Sequence, residues 1–348
     1  MRLVPADGDI DRFLQREIDV GSFPGCVYAV GSPRGIEHEN ALGKAVAVPL
    51  RLGTTLSTIF DCASITKPLI TTALILQAVA ERRIALDDSF EGFPYRDLLT
   101  HTSGLKAWLP LYAYPNYLEA ILEHGREDEP GTRVVYSDLN FVLLWFALRR
   151  IYGDYVALAN ERIFAKLRLE DAMFRPPALL KPRIAATEWS QRYEIAMCAD
   201  RNIPFTGFRD GLIWGETHDG NSFHAGGTAG NAGLFASARA VYRIAQGWLD
   251  GSLVPRELLE QATRNHTAGK EENRGLGWLL SFPGHAATGM LSPRAFGHTG
   301  FTGTSVWIDP DRDRVMVLLT NRVHPCASPI AMQKIRGEFH SLALKGIE

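Results

Sequence analysis

The sequence predicts an α+β fold in which an antiparallel sheet is assembled from both ends of the chain, with a mainly helical segment inserted between them. Three observations point there. Strand-like patterns occupy residues 26–48, helical periodicity dominates from about 64 to 170, and strand patterns return after 300. Composition sets the frame. The 348 residues are 46% apolar and 22% charged, the balance of an ordinary globular protein, and a chain of this length exceeds what one hydrophobic core usually serves. Two packed subdomains are expected, residues 1–60 with 235–348 carrying the sheet and 61–234 mainly helical, with a cleft where they meet.

The elements follow in order. Residues 9–19 read as an amphipathic helix. Two β-rich runs, Cys26–Val30 and Gly35–Val48, flank the turn residues Gly31, Ser32, Pro33 and Arg34, the signature of a hairpin. Pro68–Ala80 is almost wholly apolar and helical in length, Tyr117–Glu123 is a short helix, and Leu139–Tyr152 is a helix closed by Gly153. A glycine-rich loop holds Gly226, Gly227, Gly230 and Gly233. Strands Thr304–Ile308 and Val315–Thr320 are joined by an Asp-Pro-Asp-Arg-Asp turn. In the last helix Met332, Ile335, Phe339 and Leu342 recur at spacings of three and four.

Several functions are disfavoured at once. Lys plus Arg number 37 against 39 Asp plus Glu, so no basic excess exists to neutralise a phosphate backbone, and nucleic acid is not expected as a partner. No run approaches about 18 uncharged apolar residues and the N-terminus lacks a secretory core, so no membrane span is expected and a cytoplasmic location is, unless a leader has been removed. The four cysteines, Cys26, Cys62, Cys198 and Cys326, show no zinc or disulfide-framework spacing. Gly-x-Ser-x-Gly, Walker A and Gly-x-Gly-x-x-Gly patterns do not occur, and His218, Asp219 and His224 fit no zinc pattern, a structural role near the site being the better reading. No metal or cofactor is expected.

Chemistry concentrates at Ser64-Ile-Thr-Lys67. Residues three apart share one side of a helical turn, which makes the hydroxyl and the amine neighbours. Pro68 is tolerated only in a first turn, so the helix begins close to Ser64, where unpaired amides and the positive dipole end can stabilise an oxyanion. With 16 serines and 8 lysines, chance supplies about 0.4 Ser-x-x-Lys per chain. A second copy, Ser103–Lys106, has glycine inside the turn and Pro110 soon after, and is rejected as the nucleophile. Lys67 instead precedes a helix too apolar for the surface, and such surroundings tend to lower a lysine's pKa, as activation of a serine requires. Two further elements are weaker alone. Tyr136-Ser137-Asp138 precedes an apolar helix, where Ser137 or Asp138 also suits an N-cap, and Phe296-Gly-His298-Thr299-Gly300-Phe301 leads into a strand with glycines that suit close approach of ligand or backbone, or a bulge.

Together, Ser64-Ile-Thr-Lys67, Tyr136-Ser-Asp138 and His298-Thr-Gly300 resemble, in order and spacing, the serine β-lactamase and penicillin-binding-protein superfamily, in the class C-like branch that includes DD-peptidases and esterases. Supporting stretches are Leu98–Leu105, Ala186-Thr-Glu188, His218-Asp219, Gly226–Phe235 and Leu276-Gly-Trp278, so the likeness spans nearly the whole chain. The resemblance implies a sheet of about five antiparallel strands against an all-α subdomain. It implies Ser64 as nucleophile, Lys67 and Tyr136 as the proton-handling pair with either as base, and the amides of Ser64 and Phe301 as oxyanion donors. Asp138 orients Lys67 and the substrate amide in that scheme, while His298, Thr299 and Gly300 face the substrate. Trp108, Tyr112 and Tyr114 are candidate pocket walls.

Two departures shape the functional expectation. Many relatives have Asn where Asp138 stands, and an anion there favours charged Lys67 and discourages anionic substrates. Many β-lactamases have Lys where His298 stands, so a fixed cation is lost at neutral pH. The expected function is a serine hydrolase acting through an acyl-enzyme on a small ester or amide. The alternatives are a β-lactamase or D-alanyl-D-alanine carboxypeptidase, and a sensor that acylates without turnover. No oligomeric state is legible.

Overall fold

The computed structural model describes residues 7–345. Its central sheet has seven strands: β1 (Gly25–Ser32), β2 (Gly35–Val46), β3 (Leu52–Gly53), β4 (Leu279–Leu280), β5 (Phe296–Thr299), β6 (Ser305–Asp309) and β7 (Arg314–Thr320), in the order β3-β2-β1-β7-β6-β5-β4 and antiparallel throughout. The expected sheet of about five strands corresponds to the five long ones, with a two-residue strand added at each edge. Both chain ends meet at the centre, where Cys26 pairs with Thr320 and Val30 with Met316.

Helices cover both faces of this sheet. The helices that matter for the site and its support are α1 (Asp7–Asp19), α2 (Ala73–Ala80), α3 (Asp138–Tyr152), α4 (Ala238–Leu249) and α5 (Met332–Ala343). Alternation along the strands sorts the side chains. Cys26, Tyr28, Val30, Trp307, Met316 and Leu318 pack with Ile10, Phe13 and Leu14 of α1 and Ile335, Phe339 and Leu342 of α5. Val27, Ala29, Val306, Ile308, Val317 and Leu319 turn to the opposite face and join α4 and the α2–α3 core. With both faces covered, the central strands read as nearly continuous apolar runs. The helix α4 is absent from the expected elements, although Val241, Ile244, Ala245 and Trp248 carry helical spacing and Ser237 accepts from the Ala240 amide as its N-cap.

The segment leading into α2 is wound differently from an ordinary helix. Ala63–Ile65 forms a 3₁₀ turn, Lys67–Thr72 a π-helical turn with Pro68 in its first positions, and only then does α2 begin. Pro68 brings no N–H to the ladder, and Thr72 Oγ1 donates to the Lys67 carbonyl at 3.0 Å. Ala63–Ala80 is long and apolar enough to cross a membrane by length and composition, but 78% of it lies buried in the protein as a core helix. It packs on α3, whose Leu139, Phe141, Val142, Leu143 and Leu144 are buried and which stops at Gly153, where φ is +88°.

Candidate active site

Local backbone geometry presents Ser64 before any partner is considered. Ala63 has φ +46°, a left-handed conformation uncommon outside glycine. It is held by Asp61, a buried carboxylate that accepts the Ala63 amide at 2.8 Å and the His218 amide at 2.7 Å. Backbone strain of this kind persists where surrounding contacts over-determine it. The turn is also tied to the sheet, since Thr302 Oγ1 donates to the Asp61 carbonyl and Thr304 Oγ1 to that of Cys62.

Lys67 lies one turn on and is completely buried. Its ammonium donates to Ser64 Oγ at 2.9 Å and to the Asn231 carbonyl at 3.0 Å, and it pairs with Asp138 Oδ1 at 2.6 Å. Burial acts to lower its pKa, but the Asp138 carboxylate and Tyr136 outweigh that, and the amine is held above its ordinary value. Of the two opposing influences expected from the sequence, lowering by apolar surroundings and raising by an anion at Asp138, the second prevails, because α3 brings that carboxylate to 2.6 Å from the amine.

Tyr136 and Asp138 are placed by the turn before α3. The Ser137 amide donates to His101 Nδ1 at 3.0 Å, Ser137 Oγ to the Lys106 carbonyl at 2.6 Å and the Asp138 amide to the Ala107 carbonyl at 2.9 Å. The first of these bonds makes Nδ1 of His101 an acceptor, so its proton sits on Nε2. Ser103, the rejected nucleophile, is buried and donates to Asn140 of α3, and so serves this scaffold. The Tyr136 ring lies 5.0 Å from the Lys67 ammonium and 5.2 Å from the Arg274 guanidinium, with the rings of His101 and His298 at 4.7 and 5.7 Å.

The strand β5 supplies the opposite wall. His298 is buried, its Nδ1 donates to the Thr299 carbonyl at 2.8 Å, and burial together with Arg274 and Lys67 pushes its pKa well below the ordinary imidazole range. It is therefore neutral at pH 7. Gly300 closes against the serine turn, where a Cβ would come within 2.7 Å of the Cys62 carbonyl and 2.1 Å of Thr304 Oγ1. Gly300→Ala is expected to push Phe301 away from Ser64 and lower ester kcat/KM by at least about tenfold while the protein still unfolds cooperatively. Unchanged kinetics in the folded variant would count against this close approach. The backbone amides of Ser64 and Phe301 have no acceptor among the described residues and are available to an incoming oxygen.

Ser64, Tyr136, Thr299, Gly300 and Phe301 line one cavity of about 930 Å³, together with Tyr193, Arg322, Arg336 and the Ala327–Met332 segment. Asp138 and His298 stand behind that lining and meet it through Lys67 and Tyr136. Trp108, Tyr112 and Tyr114, candidate walls for which core packing was the commoner alternative, are not among the residues that line it. Tyr112 instead packs against Phe205, Phe208 and His224. His218 and Asp219 have the structural roles foreseen. His218 pairs with Glu188 at 3.1 Å and stacks on Phe301, while Asp219 caps the short helix Gly220–His224. Among the described residues no metal-ligating cluster occurs. Sequence reasoning gave no role to Asp61, Asn231 or Arg274. Asn231 sits within a stretch that carries the resemblance, whereas Asp61 and Arg274 lie in none.

Comparison with known proteins places this arrangement. The beta-lactamase family profile matches residues 10–336. The chain belongs to the beta-lactamase family. The Escherichia coli (strain K12) protein named "Putative D-alanyl-D-alanine carboxypeptidase" is 29% identical over 377 residues, covering 92% of this chain and 83% of that protein. Among solved structures, unliganded simvastatin synthase from Aspergillus terreus superposes with a TM-score of 0.73 at 16% identity, covering 98% of each chain. D-amino acid amidase from Ochrobactrum anthropi superposes at 0.68 with 20% identity, covering 97% of this chain and 98% of that one. The two structural likenesses speak for the fold, and the family membership makes the chain a beta-lactamase-family serine hydrolase.

Proposed function

We propose that the protein hydrolyses uncharged esters or small amides through an acyl-enzyme on Ser64, without metal or cofactor. One observation carries the reading: a completely buried lysine donates to Ser64 Oγ at 2.9 Å, and that serine opens on a cavity of about 930 Å³. Ser64 Oγ attacks the substrate carbonyl, its proton passes to the Lys67–Tyr136 pair, and the amides of Ser64 and Phe301 receive the developing oxyanion. The proton then goes to the leaving group, and the same pair activates water for deacylation. The walls formed by Tyr193, Phe301, Ile330 and Met332 suit an apolar substituent. Neutral His298 and the Asp138 carboxylate disfavour a carboxylate on the substrate near Lys67. Stable ester adducts without further turnover would support the sensor reading instead.

The test is intact mass after mixing with p-nitrophenyl acetate, p-nitrophenyl butyrate or a fluorophosphonate, with released nitrophenol followed in parallel. Covalent addition at Ser64 with continuing release is expected. Folded protein showing neither addition nor release would sink the proposal. A second reading, D-alanyl-D-alanine carboxypeptidase, draws on the name of the curated relatives and on Arg274, which is buried under Tyr136 with Nη1 unpaired among the described residues. Release of D-alanine from a peptide ending in D-Ala-D-Ala, faster than ester turnover and lost in Arg274→Ala, would favour it.

A further inference from the structure

Three groups lie close to the Lys67 ammonium: it donates to Ser64 Oγ at 2.9 Å and to the Asn231 carbonyl at 3.0 Å, and it forms an ion pair at 2.6 Å with Asp138 Oδ1, a buried oxygen with no hydrogen-bond partner among the described residues. No lone pair is left to receive the serine proton. For Lys67 to act as acceptor it must first release a hydrogen to one of these neighbours or to Tyr136, which also acts on the amine. Ser64 is the group being deprotonated, a backbone carbonyl is too weak a base to hold a proton, and a phenol that keeps its own hydrogen cannot take a second. Asp138 is the remaining choice, and its contact is the shortest of the three.

From this geometry, and resting on the acyl-enzyme reading above, we propose that Asp138 is the terminal acceptor of the Ser64 proton, reached through Lys67. In acylation a hydrogen moves from Lys67 Nζ to Asp138 Oδ1, and the freed amine takes the proton from Ser64 Oγ as the Oγ–C bond forms. Lys67 is again an ammonium and Asp138 a neutral acid. Collapse of the tetrahedral intermediate breaks the bond to the leaving group, which takes a proton from Lys67, and Asp138 returns its own to the amine. No proton is gained or lost and no further reactant is needed.

The surroundings suit such an exchange. Burial raises the Asp138 carboxyl above its ordinary range despite the adjacent ammonium, and Asp219 reinforces the rise. This makes the carboxylate a stronger base. Exchange converts a buried ion pair into a neutral amine and a neutral acid, so part of the Coulomb energy lost is offset by relief of desolvation. The other ionisable groups around the pair are Tyr136, His101, His298 and Arg274. Burial lowers both histidines and leaves them neutral above about pH 6.5. Asn at this position could still accept a hydrogen bond from Lys67, but could not take its proton.

The readout that separates proton acceptance from mere positioning is the pH profile of kcat/KM for p-nitrophenyl acetate, a substrate that does not itself titrate. In the wild type, activity should fall on the acid side as Asp138 becomes protonated. Asp138→Asn removes the largest influence that keeps Lys67 charged, so burial, opposed now by Tyr136 without the carboxylate, lowers the pKa of the amine relative to the wild type. Activity then needs solvent to deprotonate Lys67. The expected result is a loss of about 100-fold at pH 6, shrinking as pH rises, so that the acid limb moves alkaline by more than one unit. Asp138→Glu should keep the wild-type limb, and Asp138→Ser should repeat the Asn result if that variant is unstable. A uniform loss across the whole profile, or a Tyr136→Phe variant that alone erases the acid limb, would overturn the proposal. Wild-type protein that neither turns over ester nor labels at Ser64 would overturn the acyl-enzyme reading, a distinguishable failure.

Discussion

Ser64→Ala is expected to lower ester turnover by roughly 10³-fold or more and to abolish covalent labelling, with little change in stability. Among the described residues that line the cavity, Ser64 is the one whose hydroxyl accepts a hydrogen bond from Lys67. What remains after its removal is attack by water on a substrate still held by the amides of Ser64 and Phe301. Stability should hold because Ser64 is partly exposed and the ammonium of Lys67 keeps Asn231 and Asp138 as partners. Lys67→Ala should match the loss of activity and add a loss of stability of roughly 2 kcal/mol, since it strands Asp138 and empties a fully buried site. Asp138 keeps about a fifth of its side-chain surface exposed, which holds that cost below the value for a fully enclosed charge. The double variant should be no slower than either single one, because both remove one unit of chemistry. Turnover by Ser64→Ala within tenfold of wild type, on verified protein, would place the nucleophile elsewhere.

Legibility in the sequence followed the range of the interactions concerned. Helix α3, with its stop at Gly153, and the β6–β7 hairpin are recoverable because apolar spacing and turn residues act over a few positions. A helical start close to Ser64 was legible from Pro68, but the 3₁₀ turn at Ala63–Ile65 and the π-helical winding of Lys67–Thr72 were not, since Thr71 bonds the distant Gly230 carbonyl only in the folded packing. The triad of motifs was legible because each is contiguous. Both influences on the Lys67 pKa were legible, apolar neighbours lowering it and an anion at Asp138 raising it, but which of them wins was not, because that depends on a 2.6 Å contact set by the packing of another helix. Trp108, Tyr112 and Tyr114 left two readings open, a pocket wall or core packing, and the sequence could not choose because the side on which the 3₁₀ turn at Leu111–Ala113 packs depends on Phe205 and His224, distant in the chain. Asn231 escaped because it acts through its carbonyl oxygen, an atom that residue identity does not distinguish.

Acid should destabilise the protein through histidines buried in neutral form, and His340 offers the cleanest measurement. It is completely buried beside Trp307 and Phe339, its Nδ1 donates to the Ala287 carbonyl at 2.7 Å, and burial pushes its pKa down to about 4. In the unfolded chain an imidazole titrates near 6.5. Between those values the unfolded state binds the extra proton, so stability rises with pH through this window and is lost as pH falls from about 6.5 to about 4. At pH 5 the loss from this one group is about 2 kcal/mol. His101 and His298 are lowered by burial in the same direction and add losses of the same sign. Buried acids oppose them. Desolvation raises Asp61 and Glu194, and a carboxyl raised on folding gains stability as pH falls through its folded value, so the slope for the whole protein mixes both signs. A comparison with His340→Gln removes that mixture, because the acids are common to both proteins and cancel in the difference. Denaturant unfolding should find the variant less stable at pH 7, from imperfect packing, and the gap should close by about 2 kcal/mol on moving to pH 5. A gap that stays constant across this range would mean that His340 carries the same charge in the folded and unfolded states, and that its burial does not govern its titration.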